Sequence, residues 1–221
     1  MEDIITSSYG GIDQGLNRTL AIVLLDEVAP REELLYDDKR SLLDKYDTII
    51  ASLQQAGKTK KLKQLRCKRY NVSVYHDWLL ANRVAEYTDG YDIAIGNTRF
   101  KQTQYRGNGM PTLRKRTGMW SYARQRTFIA HKRAERGLST WLLSERNTSN
   151  TCHCCGSRLV TRKYLNGADT TTTRQQASTG SRLVTRKYLN GASWILCHSC
   201  QSKLDADLNA AYNIAAREMT G

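Results

Sequence analysis

The 221-residue, 25.1 kDa chain carries 34 Lys and Arg against 21 Asp and Glu, a net charge of +13 and an isoelectric point near 9.6. Its 40% hydrophobic content suffices for one ordinary core, and two prolines and fifteen glycines exclude fibrous and proline-rich classes. No run approaches the roughly 18 apolar residues that span a bilayer, and Met1 to Tyr9 lacks a basic-then-apolar pattern. The composition predicts a soluble, cytoplasmic chain.

In chain order, Ile4 to Leu25 reads as two strands. The first ends near Gly11-Ile12-Asp13, and the second is the β-rich run Thr19 to Leu25. An acidic connector follows. Helical spacing then predicts helices over Lys39 to Gln55 and Lys60 to Tyr87, with a short strand at Asp92 to Ile95. Phe100 to Pro111 reads as a polar, glycine-rich loop, Arg114 to Arg136 as a basic helix, and Leu138 to Leu143 as a short strand. The final helix is Asp207 to Met219, with Leu208, Ala211, Tyr212, Ile214 and Ala215 as its apolar face. One segment is duplicated letter for letter: Gly156 to Ala168 recurs as Gly180 to Ala192. A single exact copy is not a solenoid, so a local tandem duplication is expected, with Thr170 to Thr173 in a flexible insert.

Charge is segregated along the chain. Lys58 to Arg69 holds seven basic residues and no acidic one, and Lys101 to Arg146 holds eleven against Glu135 and Glu145. Eight acids crowd between Asp26 and Asp47. Such segregation favours a polyanionic partner, because phosphate contacts release condensed counterions. The candidates for nucleic-acid contact are Arg114, Lys115, Arg116, Arg124 and Arg126. Trp120 and Tyr122 interleave with them, either as stacking platforms or as core residues.

Cys152-His-Cys-Cys155 and Cys197-His-Ser-Cys200 form two Cys-x2-Cys pairs. That spacing lets two thiolates of one tight turn face the same ion, and two such knuckles complete a tetrahedron. The gap between the knuckles is long for a zinc ribbon, and removing one repeat brings it into the usual window of about 15 to 20 residues. The duplication is therefore expected to interrupt a ribbon hairpin whose Zn2+, held by Cys152, Cys155, Cys197 and Cys200, is structural. Cys154, His153 and His198 are substitute ligands.

A lone Asp before a turn or helix is more often a cap than a ligand. Asp13 ends an opening strand, whereas Asp207 opens the last helix, and a pair so disposed can meet over one sheet edge. Two-metal phosphodiester chemistry requires hard carboxylates brought together in this way.

The opening G-I-D-Q-G-L-N-R-T-L-A-I resembles the first motif of the RuvC-type domain in transposon-encoded TnpB proteins and type V CRISPR effectors. T-S-N-T-C-H-C-C-G resembles their zinc-knuckle entry, and C-H-S-C followed by D-A-D-L-N-A-A-Y-N-I-A is similar to their last motif. The resemblance implies an α/β, ribonuclease H-like (RuvC-type) fold with a zinc-ribbon insertion before the last helix. On that reading residues 1–147 form the core with a helical insertion, 148–203 the ribbon and 204–221 the final helix. Asp13 and Asp207 become metal carboxylates for Mg2+, and Asp205 a cap. The part that grips guide RNA and target duplex in such proteins has no counterpart here.

The family's second motif ends a hydrophobic strand in Glu. Here the matching strand, Tyr91 to Thr98, puts Gly96 at that position. Gly96 offers no ligand, so the resemblance implies RNA-guided DNA binding with weak or lost cleavage. The partners implied are DNA, a guide RNA and a partner chain supplying the missing half. One alternative is a working Mg2+-dependent endonuclease whose third carboxylate comes from elsewhere, such as Glu86. The other is a truncated structural remnant.

Overall fold

The computed structural model describes residues 8–15, 18–27, 29–35, 39–97, 121–158, 160–164 and 193–218. These fall into two compact units. One gathers segments from 1–35, 91–98 and 141–221, and the other gathers 36–90 and 99–140.

The first unit is built on a five-stranded sheet of order β3-β2-β1-β4-β5. Its strands are β1 (Tyr9–Gln14), β2 (Leu20–Leu25), β3 (Arg31–Leu35), β4 (Asp92–Gly96) and β5 (Thr140–Leu143). β1 pairs antiparallel with β2 and parallel with β4, while β3 pairs antiparallel with β2. The parallel neighbour is reached only through the long helical excursion between β3 and β4, as a parallel pair requires. Period-2 alternation sorts the side chains. Ile12, Leu20, Ile22, Leu24, Ile93 and Ile95 share one face and are fully buried. The other face presents Gly11 and Asp13 from β1 and Ala21 and Val23 from β2.

Helix α4 (Ala206–Glu218) lies on that second face, where Ala211 clusters with Ala21 and Val23 and is flanked by Leu208 and Tyr212. Gly11 makes this close approach possible. A Cβ there would stand 2.6 Å from the Ala215 backbone nitrogen and closer still to the Ala211 carbonyl. The ribbon is a second, three-stranded sheet of β6 (Val160–Tyr164), β7 (Ser193–Cys197) and β8 (Lys203–Asp205), antiparallel throughout. β6 comes from the first copy of the duplicated segment. The second copy lies outside the described residues, as do the expected loop over Phe100 to Pro111 and the Thr-rich insert.

Strand β3 corrects the expectation of a plain acidic connector. Its sequence R-E-E-L-L is charged because it forms a sheet edge, where exposed charge discourages pairing with other chains.

The second unit is helical: α1 (Lys39–Gln55), α2 (Thr59–Tyr87) and α3 (Tyr122–Ala134). Its centre is Asp77, which is fully buried and accepts hydrogen bonds from Lys39 Nζ (2.5 Å), Ser121 Oγ (2.5 Å), Arg124 Nε (2.6 Å) and Gln125 Nε2 (3.1 Å). Trp78 stacks on Phe128 with ring centroids 3.9 Å apart. Arg133 is wholly buried. It donates to Thr88 O (2.8 Å), Ser139 O (2.9 Å) and Thr140 Oγ1 (2.9 Å), placing its charge at the C-terminal end of α2. Among the described residues no helix is long and apolar enough to cross a membrane.

Candidate functional site

Two clusters are organised by one helix, since α4 both covers β1 and fastens the ribbon.

The first is the cysteine quartet. The sulfurs of Cys152, Cys155, Cys197 and Cys200 all lie within 4.8 Å of one another, with Cys152–Cys200 at 3.7 Å and Cys155–Cys197 at 3.5 Å. A tetrahedron of thiolates around Zn2+, with Zn–S near 2.3 Å, requires sulfur–sulfur separations of about 3.8 Å. The four sulfurs therefore already have the size of a zinc site, and the set can hold such a metal. Each knuckle closes by the same backbone device: Cys152 N–H donates to Ser157 O (2.9 Å) and Cys197 N–H to Ser202 O (3.0 Å). Gly156 supplies the left-handed turn after the first, at φ +71°. Burial pushes the Cys152 thiol up to about 12, whereas hydrogen bonds from the Ser202 side chain and backbone draw Cys200 down to about 6. The thiol Cys154 is exposed and stands outside the quartet.

Residues between Thr148 and His153 are tied to α4 by two asparagines. Asn209 is fully buried. Its Oδ1 accepts the His153 backbone N–H (2.9 Å), and its Nδ2 donates to Thr151 O (2.8 Å) and Thr148 O (3.2 Å). One turn on, Asn213 Nδ2 donates to the same two carbonyls at 2.8 Å. His153 also stacks on Tyr212, with centroids 4.1 Å apart and planes 8° off parallel. The sequence reading did not single out Asn209 as functional, although its place in the D-x-N of the last motif is the signal that could have found it.

The second cluster is acidic. Asp205 caps α4, its Oδ1 accepting the N–H groups of Asp207 (3.0 Å) and Leu208 (3.2 Å), as expected for an Asp just before a helix. Asp207 sits in the first turn, where the helix dipole favours a negative charge. Arg18, in the turn between β1 and β2, ion-pairs with Asp205 and approaches Asp207 Oδ2 at 3.6 Å. Arg18 went unnoticed in the sequence because its partners lie near the other end of the chain.

Asp13 lies two residues beyond Gly11 on the face covered by α4. Gly11 packs against Ala211 and Ala215. Two residues forward along β1 is about 6.7 Å, and four residues back from Ala211 to Asp207 is about 6 Å. Both displacements run toward the β1–β2 turn, where Arg18 meets Asp207. Asp13 and Asp207 therefore share one end of the β1–α4 contact.

Gly96 ends β4. The parallel register runs Tyr9↔Asp92 to Ile12↔Ile95, so its next step sets Gly96 beside Asp13, on the same face and about 4.8 Å away. Glu86 belongs to the helical unit, where it is 69% exposed and 3.9 Å from Arg136. Of the basic candidates, Arg124 commits its guanidinium to Asp77 (2.6 Å) and Ser73 Oγ (2.6 Å). Arg126 is half-buried on α3, and Arg114, Lys115 and Arg116 lie outside the described residues.

Residues 122–214 match the family model described as Cas12f1-like, TNB domain. No curated protein matches the chain by sequence. Among solved structures, the chain is similar to one described as "Cryo-EM structure of the Cas12f1-sgRNA-target DNA complex", at 18% identity and a TM-score of 0.63 over 96% of this chain and 50% of that one. It is similar also to one described as "Cryo-EM structure of CRISPR-Cas12f Ternary Complex", at 18% identity and a TM-score of 0.63 over 97% of this chain and 40% of that one. The chain thus spans half or less of each matched chain. The chain shares the α/β fold of these matched chains, and its residues 122–214, which carry the four cysteines of the metal cluster and most of α4, are similar to the Cas12f1-like TNB domain.

Proposed function

We propose that this chain is the RuvC and zinc-ribbon portion of an RNA-guided DNA-binding effector. It works with a guide RNA and with a partner chain or further segment that holds guide and target. The observation that carries the reading is the joining, through α4, of a ribbon matched to the Cas12f1-like TNB domain with a RuvC-type sheet. The solved structures it resembles are described as an sgRNA–target DNA complex and a ternary complex, and a net charge of +13 suits such partners. Phosphate contact is assigned to Arg126 and to Arg114, Lys115 and Arg116. Arg124 is better suited to holding the helical unit together.

The quartet's metal is Zn2+ and its role is structural, since four thiolates leave no open position. Asp13 and Asp207 are the proposed ligands of divalent cations of the Mg2+ type, to which hard carboxylate oxygens are matched. Such ions, when bound, supply Lewis acidity and an activated water for phosphodiester hydrolysis. Arg18 holds Asp205 and Asp207 in place at the helix end.

Cleavage divides two readings. Gly96 by itself leaves two carboxylates and predicts weak or lost cutting. The contact between Glu145 and the space above Gly96 favours a working endonuclease.

The test is electrophoretic mobility of labelled target DNA with the zinc-loaded chain and its copurified RNA. The reading predicts RNA-dependent binding that weakens at least about 100-fold between 50 and 200 mM salt, as several released counterions require. Absence of copurifying RNA together with absence of binding at about 100 mM salt would overturn it and favour a structural remnant.

A further inference from the structure

Helices α1 and α2 form an antiparallel hairpin, locked by the paired bonds Arg69 Nε to Asp47 Oδ1 (2.6 Å) and Arg69 Nη2 to Asp47 Oδ2 (3.1 Å). Its tip is a fixed turn. The Lys58 N–H donates to Leu53 O (3.1 Å) and the Gly57 N–H to Gln54 O (3.2 Å), with Gly57 left-handed at φ +66°. Between Asp47 and Asp77 the sequence has no acidic residue, while Lys58, Lys60, Lys61, Lys63, Arg66, Lys68 and Arg69 give it seven positive charges. The first six are all exposed, and among the described residues none of those six has an ion pair.

Helical spacing sorts these cations around α2. Leu62, Leu65 and Arg69 are partly buried and turn toward α1. Lys61 and Lys68, about 10.5 Å apart along the axis, line one flank, and Lys63 and Arg66 line the other. Lys60, Gln64, Cys67 and Asn71 form the outer ridge between the flanks, and all four are exposed. A helix with its side chains is about 10–12 Å across. The B-form major groove is about 12 Å wide and lies between two phosphate strands, whereas the A-form major groove is too narrow to enter. From Lys58 to Arg69 there is no aromatic residue, so the ridge lacks the stacking platforms that hold unpaired bases.

We propose that the tip of the α1–α2 hairpin docks on double-stranded DNA, with the outer ridge of α2 in the major groove. Lys61 and Lys68 meet one phosphate wall, and Lys63 and Arg66 meet the other. The inference rests on the DNA-binding reading given above and adds to it a duplex contact that this chain makes without RNA. Phosphates carry the contact, so it positions the protein on the duplex and does not select a sequence.

The test is binding of the zinc-loaded, RNA-free chain to a labelled DNA duplex of about 16 base pairs, to the RNA duplex of the same sequence and to its single strands. The DNA duplex is expected to bind tighter than either by about 10-fold or more. In the variant K61A/K63A/R66A/K68A the slope of log affinity against log salt should fall by about 3–4, since each lost phosphate contact is worth about 0.9. Alanine is the best helix former, so the hairpin is kept, and far-ultraviolet circular dichroism checks that it is. Lysine acetylation of the parent chain needs no substitution. Lys61, Lys63 and Lys68 should lose reactivity in the DNA complex, while Lys45, exposed on α1 beyond the Asp47–Arg69 pair from the tip, keeps its own. A slope change under about 1 in the folded variant overturns the proposal, as do unprotected lysines in the saturated DNA complex. RNA duplex or single strands bound as tightly as the DNA duplex overturn it too, and so does protection by phosphatidylserine vesicles without protection by DNA. Failure of these readouts beside an intact RNA-dependent shift would overturn this inference alone. Intact protection with no RNA-dependent binding of target would overturn the functional reading alone.

Discussion

Replacing Asn209 by Ala tests the coupling of ribbon to sheet. Asn209 spends its amide on three backbone groups at once, and Asn213 shares two of them: the carbonyls of Thr148 and Thr151. Truncation therefore leaves both carbonyls with a donor from Asn213. The group that loses its partner is the His153 N–H, inside the first knuckle. A buried donor left unsatisfied costs about 1–3 kcal/mol. The small cavity at a fully buried position adds about 1 kcal/mol. Asn209→Ala should accordingly lower the local stability of the knuckle by about 2–4 kcal/mol. Asn213→Ala removes bonds whose acceptors stay satisfied by Asn209, and should cost about 0.5–1.5 kcal/mol. The assay is hydrogen exchange over residues 148–158 of the zinc-loaded protein across a urea series, with zinc release followed in parallel. Equal effects of the two substitutions, or an Asn209→Ala cost under about 0.5 kcal/mol, would refute the reasoning.

Gly11→Ala should be the most damaging single methyl in the sheet, because the new Cβ meets the α4 backbone at Ala215 N (2.6 Å) and Ala211 O and no flexible side chain can yield. A loss of about 3 kcal/mol or more is expected in urea denaturation, and a cost under about 1 kcal/mol would contradict the packing. Zinc affinity should rise with pH. In the metal-free protein the buried Cys152 thiol titrates near 12 and keeps its proton at neutrality, while Cys200 titrates near 6 and has lost it. Binding must displace the protons of Cys152 and of Cys155, whose thiol is also raised, so affinity measured by chelator competition should increase at least about tenfold per pH unit from pH 7 to 9, and a flat profile would count against the assignment. Deleting residues 169–192 removes one copy of the repeat and shortens the link between Tyr164 and Ser193 from 28 residues to four. The lower closure entropy should stabilise the zinc-loaded ribbon by about 1.7 kcal/mol. Loss of the bound zinc on deletion would show instead that the inserted residues hold the fold.

The sequence made the regular elements legible wherever periodicity was strong. The helix expected over Lys39 to Gln55 has those bounds, and the strand expected over Asp92 to Ile95 runs one residue longer, to Gly96. The cysteine pairs announced themselves because x2 spacing is a local requirement of the metal. Edge strand β3 was hidden by its own charge. The polar devices were hidden by distance along the chain: Arg18 meets Asp205, Asn209 meets Thr151, and Glu145 covers Gly96. Each is set by tertiary approach of elements that no local pattern connects. The departure at Gly96 could be read as a missing ligand from the motif alone, but the side chain standing above it could not. Likewise Arg124 looked like a surface cation until its partner Asp77 proved to be buried.

The most direct measurement is anomalous diffraction from crystals of the zinc-loaded protein soaked in Mn2+. The account predicts manganese density beside the carboxylates of Asp13 and Asp207, apart from the zinc at the cysteine quartet. No manganese density at the β1–α4 end under saturating Mn2+ would contradict it.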